Sequence, residues 1–346
     1  MSQQGEVSLG GTTIQFKVAM ERPAENEYDE SGIYEQIIRP YTYLSEQTSG
    51  KGFRTRLLNV FNMYYGVSSA ELLAVGEFIG ILHNASLLVD DVEDGGATRR
   101  GKVCAHRVYG LASTINAGNL MYFKAMEGLL MCIGGGEGGC GSGLKDGLLS
   151  GIIVRAMVKL HIGQGKEIHW RESGLCPSEE EYEGMVIGKT GELFKLGVEI
   201  LACLSDKKDA VTDVLLQYCE TLGVVYQITN DVNDLDLKVP SAGVNPEEER
   251  GHDLIEGKYS FPLIYCVRHR GMSVSWQQDK EMLAVDYAAR ATICQQIADL
   301  GGLEYAHQRV RTLTSAVQKR MQQEQHEQRL PSEMATALCM LLDAVR

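Results

Sequence analysis

Hydrophobic residues recur at steps of three and four positions in two long stretches of the chain. The first stretch, Ala70 to Asp94, has its apolar stripe at Leu72, Val75, Ile79, Leu82 and Val89. The second, Ala210 to Leu235, has its stripe at Val211, Val214, Leu215, Tyr218, Leu222, Val225 and Val232. Steps of this length place side chains on one face of an α-helix. Both stretches are therefore predicted to be long helices, and both end in acidic residues.

The distribution of proline favours an all-α fold. Only seven prolines occur, and none lies between Pro40 and Pro177, so helices in that interval meet no proline break. Residues 134–143 are nearly all glycine, and residues 240–250 hold two prolines, so both segments are predicted to be loops. Residues 1–30 contain one alternating patch, 13–18, and are interpreted as a poorly specified extension. Residues 31–346 are predicted to form one helical domain.

Composition and charge narrow the class of protein. Hydrophobic residues make up 44% of the 346 residues, and the formal net charge is −13, which opposes attraction to nucleic acid or an anionic membrane. The nine cysteines form no CxxC pair and have no histidine at zinc-finger spacing, which favours reduced thiols. No apolar run reaches roughly 18 residues, and no signal peptide follows Met1. We expect a cytoplasmic protein with no transmembrane segment and no nucleic-acid partner.

Asp90, Asp91 and Asp94 close the first predicted helix. The four-residue step from Asp90 to Asp94 puts these two carboxylates on one helical face, where like charges repel. Such a cluster needs a positive partner, and hard oxygen ligands with room for water suit Mg²⁺. The alternative is a helix end that faces solvent, as most acidic runs do.

A second cluster, Asn230, Asp231 and Asp234, closes the second predicted helix three residues after Gln227. Its spacing again stacks the side chains along one face, so two such faces are predicted to hold metal ions between them. Basic residues are candidates for anchoring a phosphorylated substrate, since arginine offers forked hydrogen bonds and Mg²⁺ neutralises further charge. These candidates are Lys51, Arg54, Arg99, Arg100, Lys189 with Thr190, and Lys258. Taken singly, each also fits an ordinary surface charge.

Several ordered blocks of residues resemble one enzyme family. The blocks are Gly50-Lys51-Gly52-Phe53-Arg54, His83-Asn84-Ala85-Ser86-Leu87-Leu88-Val89-Asp90-Asp91-Val92-Glu93-Asp94, Arg99-Arg100-Gly101, Tyr109-Gly110, Thr114-Ile115-Asn116, Leu160-His161 with Gly163-Gln164-Gly165, Trp170-Arg171, Lys189-Thr190-Gly191, Tyr226-Gln227-Ile228, and Glu256-Gly257-Lys258 with Ser260-Phe261-Pro262. They are similar to geranylgeranyl diphosphate synthases of the animal and fungal type, which belong to the trans-isoprenyl diphosphate synthases. So many ordered blocks are far more specific than one short motif.

The resemblance implies a fold and a reaction. The fold is a single large helical bundle around a central cavity. The reaction is the Mg²⁺-dependent condensation of isopentenyl diphosphate with dimethylallyl, geranyl or farnesyl diphosphate, which makes geranylgeranyl diphosphate and releases diphosphate. Up to three Mg²⁺ ions with bound diphosphate, and a homodimer or larger homo-oligomer, are also implied. Metals and basic side chains would stabilise the charge that develops on the departing diphosphate.

The resemblance also implies residue roles. Isopentenyl diphosphate is assigned to Lys51, Arg54, His83 and Arg100. The allylic diphosphate is assigned to Arg99, Lys189, Thr190, Gln227 and Lys258. Mg²⁺ is assigned to Asp90 and Asp94, with Asn230, Asp231 and Asp234 as the second set of ligands. The catalytic group comprises Asp90, Asp91, Asp94, Lys189, Gln227 and Asp231.

Product length is predicted from the size of the residues that line the cavity. Ala85 and Ser86, the fifth and fourth residues before Asp90, are small and do not stop the product at fifteen carbons. The resemblance places the floor of the pocket at Tyr122, Phe123 and His161, which predicts a twenty-carbon product. These three residues also fit ordinary core positions.

Two departures from the family pattern keep other functions open. Asn230 stands where the second motif usually begins with Asp, and Glu248 stands where a Lys usually precedes Lys258 by ten residues, with Arg250 close enough to substitute. A class I terpene cyclase and a weakly active regulatory subunit are therefore alternatives. Against a cyclase, Asp234 stands where that class has Ser or Thr. The intact first acidic cluster argues against a regulatory subunit.

Overall fold

The computed structural model describes residues 5–9, 12–16, 32–47, 52–99, 101–134, 143–205, 207, 209–239, 250–275 and 280–345. Within them, two small antiparallel hairpins form from β1 (Gly5–Leu9) with β2 (Thr12–Phe16), and from β3 (Thr98–Arg99) with β4 (Lys102–Val103). The rest of the regular structure is helical, which confirms the all-α prediction. The first hairpin lies within the predicted N-terminal extension.

The helices follow one another along the chain. They are α1 (Ile33–Ile37), α2 (Arg39–Ser45), α3 (Phe53–Tyr65), α4 (Ser69–Glu93), α5 (Ala105–Tyr109), α6 (Leu111–Gly134), α7 (Gly143–Ser173), α8 (Glu179–Val186), α9 (Glu192–Leu204), α10 (Ala210–Leu235), α11 (His252–Glu256), α12 (Phe261–Arg270), α13 (Lys280–Val285), α14 (Tyr287–Asp299), α15 (Gly302–His326) and α16 (Ser332–Val345). A π-helical turn, Ile187–Gly191, joins α8 to α9. The glycine-rich residues 135–142 and the loop residues 240–249 lie outside the described residues.

Helix α4 is the long helix predicted for Ala70 to Asp94. Ser68 and Glu71 form a capping box that satisfies backbone N–H groups at its start. Its partner is α6, which approaches so closely at Gly118 that a Cβ there would lie 2.9 Å from Val89 Cγ2. Burial along this contact fixes the direction of α4, and with it the position of the acidic cluster at its end.

Among the described helices, α4 is also long and apolar enough to cross a membrane, by length and composition only. Its sequence is not an uninterrupted apolar run, because Glu77, His83 and Asn84 lie within it. A core helix of a soluble protein meets the same criterion.

Helix α10 has the bounds that its apolar stripe predicts. The side chain of Asp209 caps its start by accepting hydrogen bonds from the backbone N–H groups of Val211 and Thr212. In its middle, Gly223 lies against the π-helical turn, and a Cβ at Gly223 would be 2.6 Å from Gly191 Cα. The absence of a side chain therefore lets α10 and the turn meet backbone to backbone.

The π-helical turn carries Lys189 and Thr190 and is held from a second side by α7. A Cβ at Gly163 would lie 2.5 Å from the backbone nitrogen of Lys189. Single π-turns within α-helical runs often occur at functional sites. Here the turn is fixed between α7 and α10, and its two polar residues lie beside the ends of α4 and α10.

Candidate active site

The carboxylate of Asp90, at the end of α4, lies among polar groups from three other parts of the chain. Arg99 Nη2 is 3.0 Å from Oδ2, and Gln164 Nε2 and Lys189 Nζ are 3.0 Å and 3.3 Å from Oδ1. Burial alone would raise the pKa of Asp90, but Lys189, Lys258 and Arg99 outweigh it and hold the pKa well below its usual value. Asp90 is therefore ionised throughout the physiological range.

Asp94 directly follows α4, one turn beyond Asp90, and has two cationic partners. Arg171 Nη1 is 2.6 Å from Oδ1, and Lys258 Nζ is 2.5 Å from Oδ2. The side chains of Asp94 and Arg171 are 2% and 8% exposed. A pair this buried is costly unless both charges are neutralised, so Arg171 and Lys258 together fix the position of Asp94.

Two further carboxylates face the lysines of this cleft. Glu167 Oε2 is 2.5 Å from Lys189 Nζ, and Glu256 Oε2 is 2.7 Å from Lys258 Nζ. Burial disfavours the charged form of Lys258, but Glu167, Glu256, Asp90 and Asp94 outweigh it and raise its pKa well above the usual value. Burial also disfavours the charged form of Lys189, but Asp90 and Glu167 outweigh it and raise the pKa of Lys189. Both lysines therefore stay charged beside the C-terminal end of α4.

Asp91 has a different environment from its neighbours. It is 2% exposed, and Arg99 Nε donates a hydrogen bond to its Oδ1. Burial raises its pKa, although Arg99 offsets part of that effect. Arg99 thus joins Asp90 to Asp91, and Asp91 holds this arginine in place from beneath the cleft.

In the second cluster, Asp231 is buried among hydrogen-bond donors. Its Oδ2 accepts a bond of 2.5 Å from Tyr182 Oη and one of 2.8 Å from the backbone nitrogen of Phe261, and its Oδ1 accepts one of 2.9 Å from Gln227 Nε2. Burial raises the pKa of Asp231 to about 6, although these donors oppose the shift. Gln227 Oε1 in turn lies 3.4 Å from Thr190 Oγ1. Asp231 therefore orients the glutamine that faces the π-helical turn.

Asp234 and Asn230 complete the second cluster. The Asp234 oxygens Oδ1 and Oδ2 accept backbone bonds of 3.0 Å from His252 and Asp253, respectively. Burial raises the pKa of Asp234, partly offset by those N–H groups. Asn230 is exposed, unlike Asp231. The solvent-facing member of this cluster is thus the one that replaces the family's usual Asp.

The proposed anchors are distributed unequally around the cleft. Arg99, Lys189 and Lys258 converge on Asp90 and Asp94. The Arg54 guanidinium lies over the Phe194 ring, 6.0 Å from its centroid, and His83 lies two turns before Asp90 on α4. Lys51, Arg100 and Glu248 lie outside the described residues.

Arg250 does not take the anchoring position that the sequence suggested. It is 6% exposed, and its Nη1 donates to the carbonyl oxygens of Asn233 and Asp236 at the end of α10. Carbonyl groups at a helix end lack intrahelical partners, so a buried cation is well placed there.

The predicted chain-length residues do not all meet. Tyr122 is buried, and its ring lies 5.8 Å from that of His161 in an edge-on arrangement. Phe123, the next residue on α6, is 68% exposed. Ala85 is fully buried and Ser86 is half-buried. The structure therefore brings together Tyr122 and His161 and leaves the side chain of Phe123 exposed.

The residues that sequence reasoning assigned no role are Gln164, Glu167, Arg171, Tyr182 and Glu256. Gln164, Arg171 and Glu256 lie in blocks that carry the family resemblance, but the spacing does not indicate their partners. Together with the predicted residues they form a cleft with alternating positive and negative groups. Such a cleft can bind a polyanion with divalent cations, since carboxylates hold the metal and cations hold the anion.

Comparisons with known proteins agree with this chemistry. The model of the polyprenyl synthetase family matches residues 34–299. A geranylgeranyl pyrophosphate synthase of Dictyostelium discoideum is 33% identical over 286 residues, covering 83% of this chain and 88% of that protein. Another, of Eremothecium gossypii, is 34% identical over 318 residues, covering 90% and 93%. A protein of Matsumurasca onukii named terpene synthase is 37% identical over 245 residues, covering 71% and 74%.

Proposed function

Since the chain belongs to the polyprenyl synthetase family, we propose that it condenses isopentenyl diphosphate with an allylic diphosphate and makes geranylgeranyl diphosphate. The observation that carries this proposal is the convergence of Lys189 and Lys258 on Asp90 and Asp94. A site of this kind suits a reaction in which a diphosphate leaves as an anion. The names of the relatives from Dictyostelium discoideum and Eremothecium gossypii support the twenty-carbon product.

Mg²⁺ fits the first acidic cluster with the help of the substrate. The described residues contain no group of three His, Cys, Asp or Glu side chains arranged to hold a metal. Mg²⁺ is usually bound by one or two carboxylates plus substrate phosphates and water, not by an all-protein cage. Asp90 and Asp94, one turn apart, supply two such carboxylates, and Mg²⁺ bound there would neutralise charge on the leaving diphosphate.

The chain's own residues would then bind and orient the allylic diphosphate. Lys189, Lys258 and Arg99 now pair with carboxylates, and a diphosphate entering with its metals would take over those cations. The fixed π-helical turn holds Lys189 and Thr190 in advance, which lowers the entropic cost of binding. Gln227, oriented by Asp231, presents a further polar group beside Thr190.

A class I terpene cyclase is the second candidate. Asn230, the exposed member of the second cluster, is the specific feature that favours it, together with the relative named terpene synthase. A cyclase would ionise the allylic diphosphate without isopentenyl diphosphate. The two functions therefore differ in one co-substrate.

Product analysis distinguishes these functions. The purified protein is incubated with Mg²⁺, isopentenyl diphosphate and, separately, dimethylallyl, geranyl or farnesyl diphosphate. The proposal predicts a twenty-carbon prenyl alcohol that is seen only after phosphatase treatment. A hydrocarbon made without isopentenyl diphosphate would identify a cyclase, and no turnover would favour a regulatory subunit.

Matched variants locate the activity in the cleft. Asp90→Asn should lower kcat/KM by roughly 100-fold or more, since it removes a carboxylate charge that would hold Mg²⁺ against the leaving diphosphate. Asp213→Asn, an equal change at an exposed position of α10, should leave kcat/KM unchanged. Equal activity of both variants would contradict the assignment.

A homo-oligomer is also proposed, because helices α6 and α7 expose large apolar side chains. Phe123, Val154, Val158 and Ile162 are each more than half exposed. Exposed apolar patches of this kind commonly mark interaction surfaces. Light scattering after size-exclusion chromatography should give at least twice the 38.1 kDa chain mass, and Val158→Glu should lower it. A monomer under all conditions would contradict this proposal.

A further inference from the structure

The two carboxylates of the second cluster both bind the backbone of one later segment, residues 251–261. Asp234 accepts hydrogen bonds from the N–H groups of His252 and Asp253 at the start of this segment. Asp231 accepts one from the N–H of Phe261 at its end. Because Asp231 and Asp234 lie almost one turn apart on α10, one helix thereby holds both ends of the segment.

Two backbone bonds further restrain this segment. The backbone nitrogen of Gly251 donates to Asp234 O on α10 at 3.0 Å, and within the segment the backbone nitrogen of Lys258 donates to Asp253 O at 2.8 Å. Gly251 and Gly257 have φ angles of 68° and 76°, which let the chain turn at each end of α11. Because Lys258 is bonded to Asp253, and Asp253 is bonded to Asp234, the position of the Lys258 backbone depends on these attachments to α10.

Lys258 is the part of the segment that reaches the cleft. Its Nζ lies 2.5 Å from Asp94 Oδ2 and 2.7 Å from Glu256 Oε2. The stem of a lysine is flexible and of limited length, so the backbone position decides which carboxylates its ammonium group can reach. Holding the backbone on α10 therefore keeps Lys258 within reach of Asp94, which follows α4.

The oxygens of Asp231 and Asp234 are already used as acceptors. Each Asp234 oxygen accepts one peptide N–H, and Asp231 accepts three donors from Tyr182, Phe261 and Gln227. Tyr182 and Phe261 take both lone pairs of Asp231 Oδ2, and a metal ion on the remaining lone pairs of either carboxylate would weaken the bonds that hold the segment. Buried N–H groups left without an acceptor are costly, so the bonds resist such competition.

We propose that Asp231 and Asp234 are positioning residues that hold segment 251–261 and its Lys258 against the cleft, and that they do not ligate Mg²⁺. The bonds themselves are independent of the reaction, whereas the role of Lys258 in binding the allylic diphosphate rests on the proposed function.

Hydrogen exchange tests the positioning role without substrate or metal. Asp234→Asn keeps one acceptor oxygen but turns an NH₂ group toward the other peptide N–H, and Asp213→Asn is the matched control. In EDTA, amides of residues 251–261 should exchange about tenfold faster in Asp234→Asn than in the wild type and the control. Unchanged exchange in this segment would overturn the proposal, whatever reaction the protein catalyses.

Kinetics separate positioning from metal binding. Asp234→Asn should raise the KM for farnesyl diphosphate by roughly tenfold and leave the Mg²⁺ concentration for half-maximal rate unchanged. In Asp234→Asn with Lys258→Ala, the rate should fall no further than in Lys258→Ala alone, because the two residues act through one group. Asp90→Asn should raise the Mg²⁺ requirement instead. An equal rise in Asp234→Asn would overturn the proposal, and an inactive wild type would refute only the proposed function.

Discussion

Replacing Gly163 with alanine disturbs the contact that fixes the π-helical turn. The added Cβ would lie 2.5 Å from the backbone nitrogen of Lys189 and 2.8 Å from the carbonyl carbon of Gly188. Both neighbours are backbone atoms, which cannot rotate away as a side chain does. To restore ordinary contact, α7 and the turn must separate by roughly 1 Å. That displacement moves Lys189 relative to Asp90.

The magnitude follows from two opposing effects. Overpacking in a close contact costs about 1–3 kcal/mol, whereas glycine to alanine within a helix gains about 1 kcal/mol. Gly165 offers the same gain without the clash, because a Cβ there meets nothing within 4 Å. The free energy of unfolding of Gly163→Ala should therefore be about 1–3 kcal/mol lower than that of Gly165→Ala.

Urea unfolding and steady-state kinetics on both variants test this prediction. A misplacement of about 1 Å at a binding group costs up to roughly 100-fold in rate, so kcat/KM should fall by about 10- to 100-fold in Gly163→Ala. Gly165→Ala should retain wild-type kinetics. Equal stability and activity of the two variants would refute the argument that the close approach of Gly163 positions Lys189.

Three further variants have distinct expected outcomes. Tyr182→Phe removes a hydrogen bond that favours ionised Asp231, whose pKa is about 6. Urea unfolding should show a loss of about 2 kcal/mol in the free energy of unfolding at pH 8 and a smaller loss at pH 5, and an equal loss at both pH values would contradict this. Tyr122→Ala should lengthen the product seen by mass spectrometry, whereas Phe123→Ala, at a 68% exposed position, should not. A longer product from Phe123→Ala and an unchanged product from Tyr122→Ala would contradict this prediction. Arg290→Met removes the hydrogen-bond donors to the carbonyl groups of residues 250, 283 and 284. It should lower the free energy of unfolding by about 2–3 kcal/mol, and unchanged stability would contradict a stabilising role for these bonds.

The long helices could be predicted because their burial follows a simple period. The stripe from Val211 to Val232 predicts the bounds of α10, and the stripe from Leu72 to Val89 predicts α4 within one residue at each end. In both cases the period shows which face is buried, and burial of that face stabilises the helix. Their acidic ends were identified for the same reason, since spacing alone places Asp90 and Asp94 on one face.

The partners of these acids could not be predicted in this way. Arg171 and Lys258 lie 77 and 164 residues from Asp94 along the chain, and only the packing of α7 and the segment after α11 brings them together. The same holds for Tyr182, whose bond to Asp231 joins α8 to α10. Sequence spacing describes one helix at a time, so it does not show that a carboxylate accepts hydrogen bonds from another helix or loop.

Diphosphate release with and without isopentenyl diphosphate tests the central claim most directly. The protein is mixed with Mg²⁺ and farnesyl diphosphate, and free diphosphate is measured over time before and after isopentenyl diphosphate is added. The account predicts no release beforehand, and afterwards one diphosphate for each isopentenyl diphosphate consumed. Steady release from farnesyl diphosphate alone would contradict it.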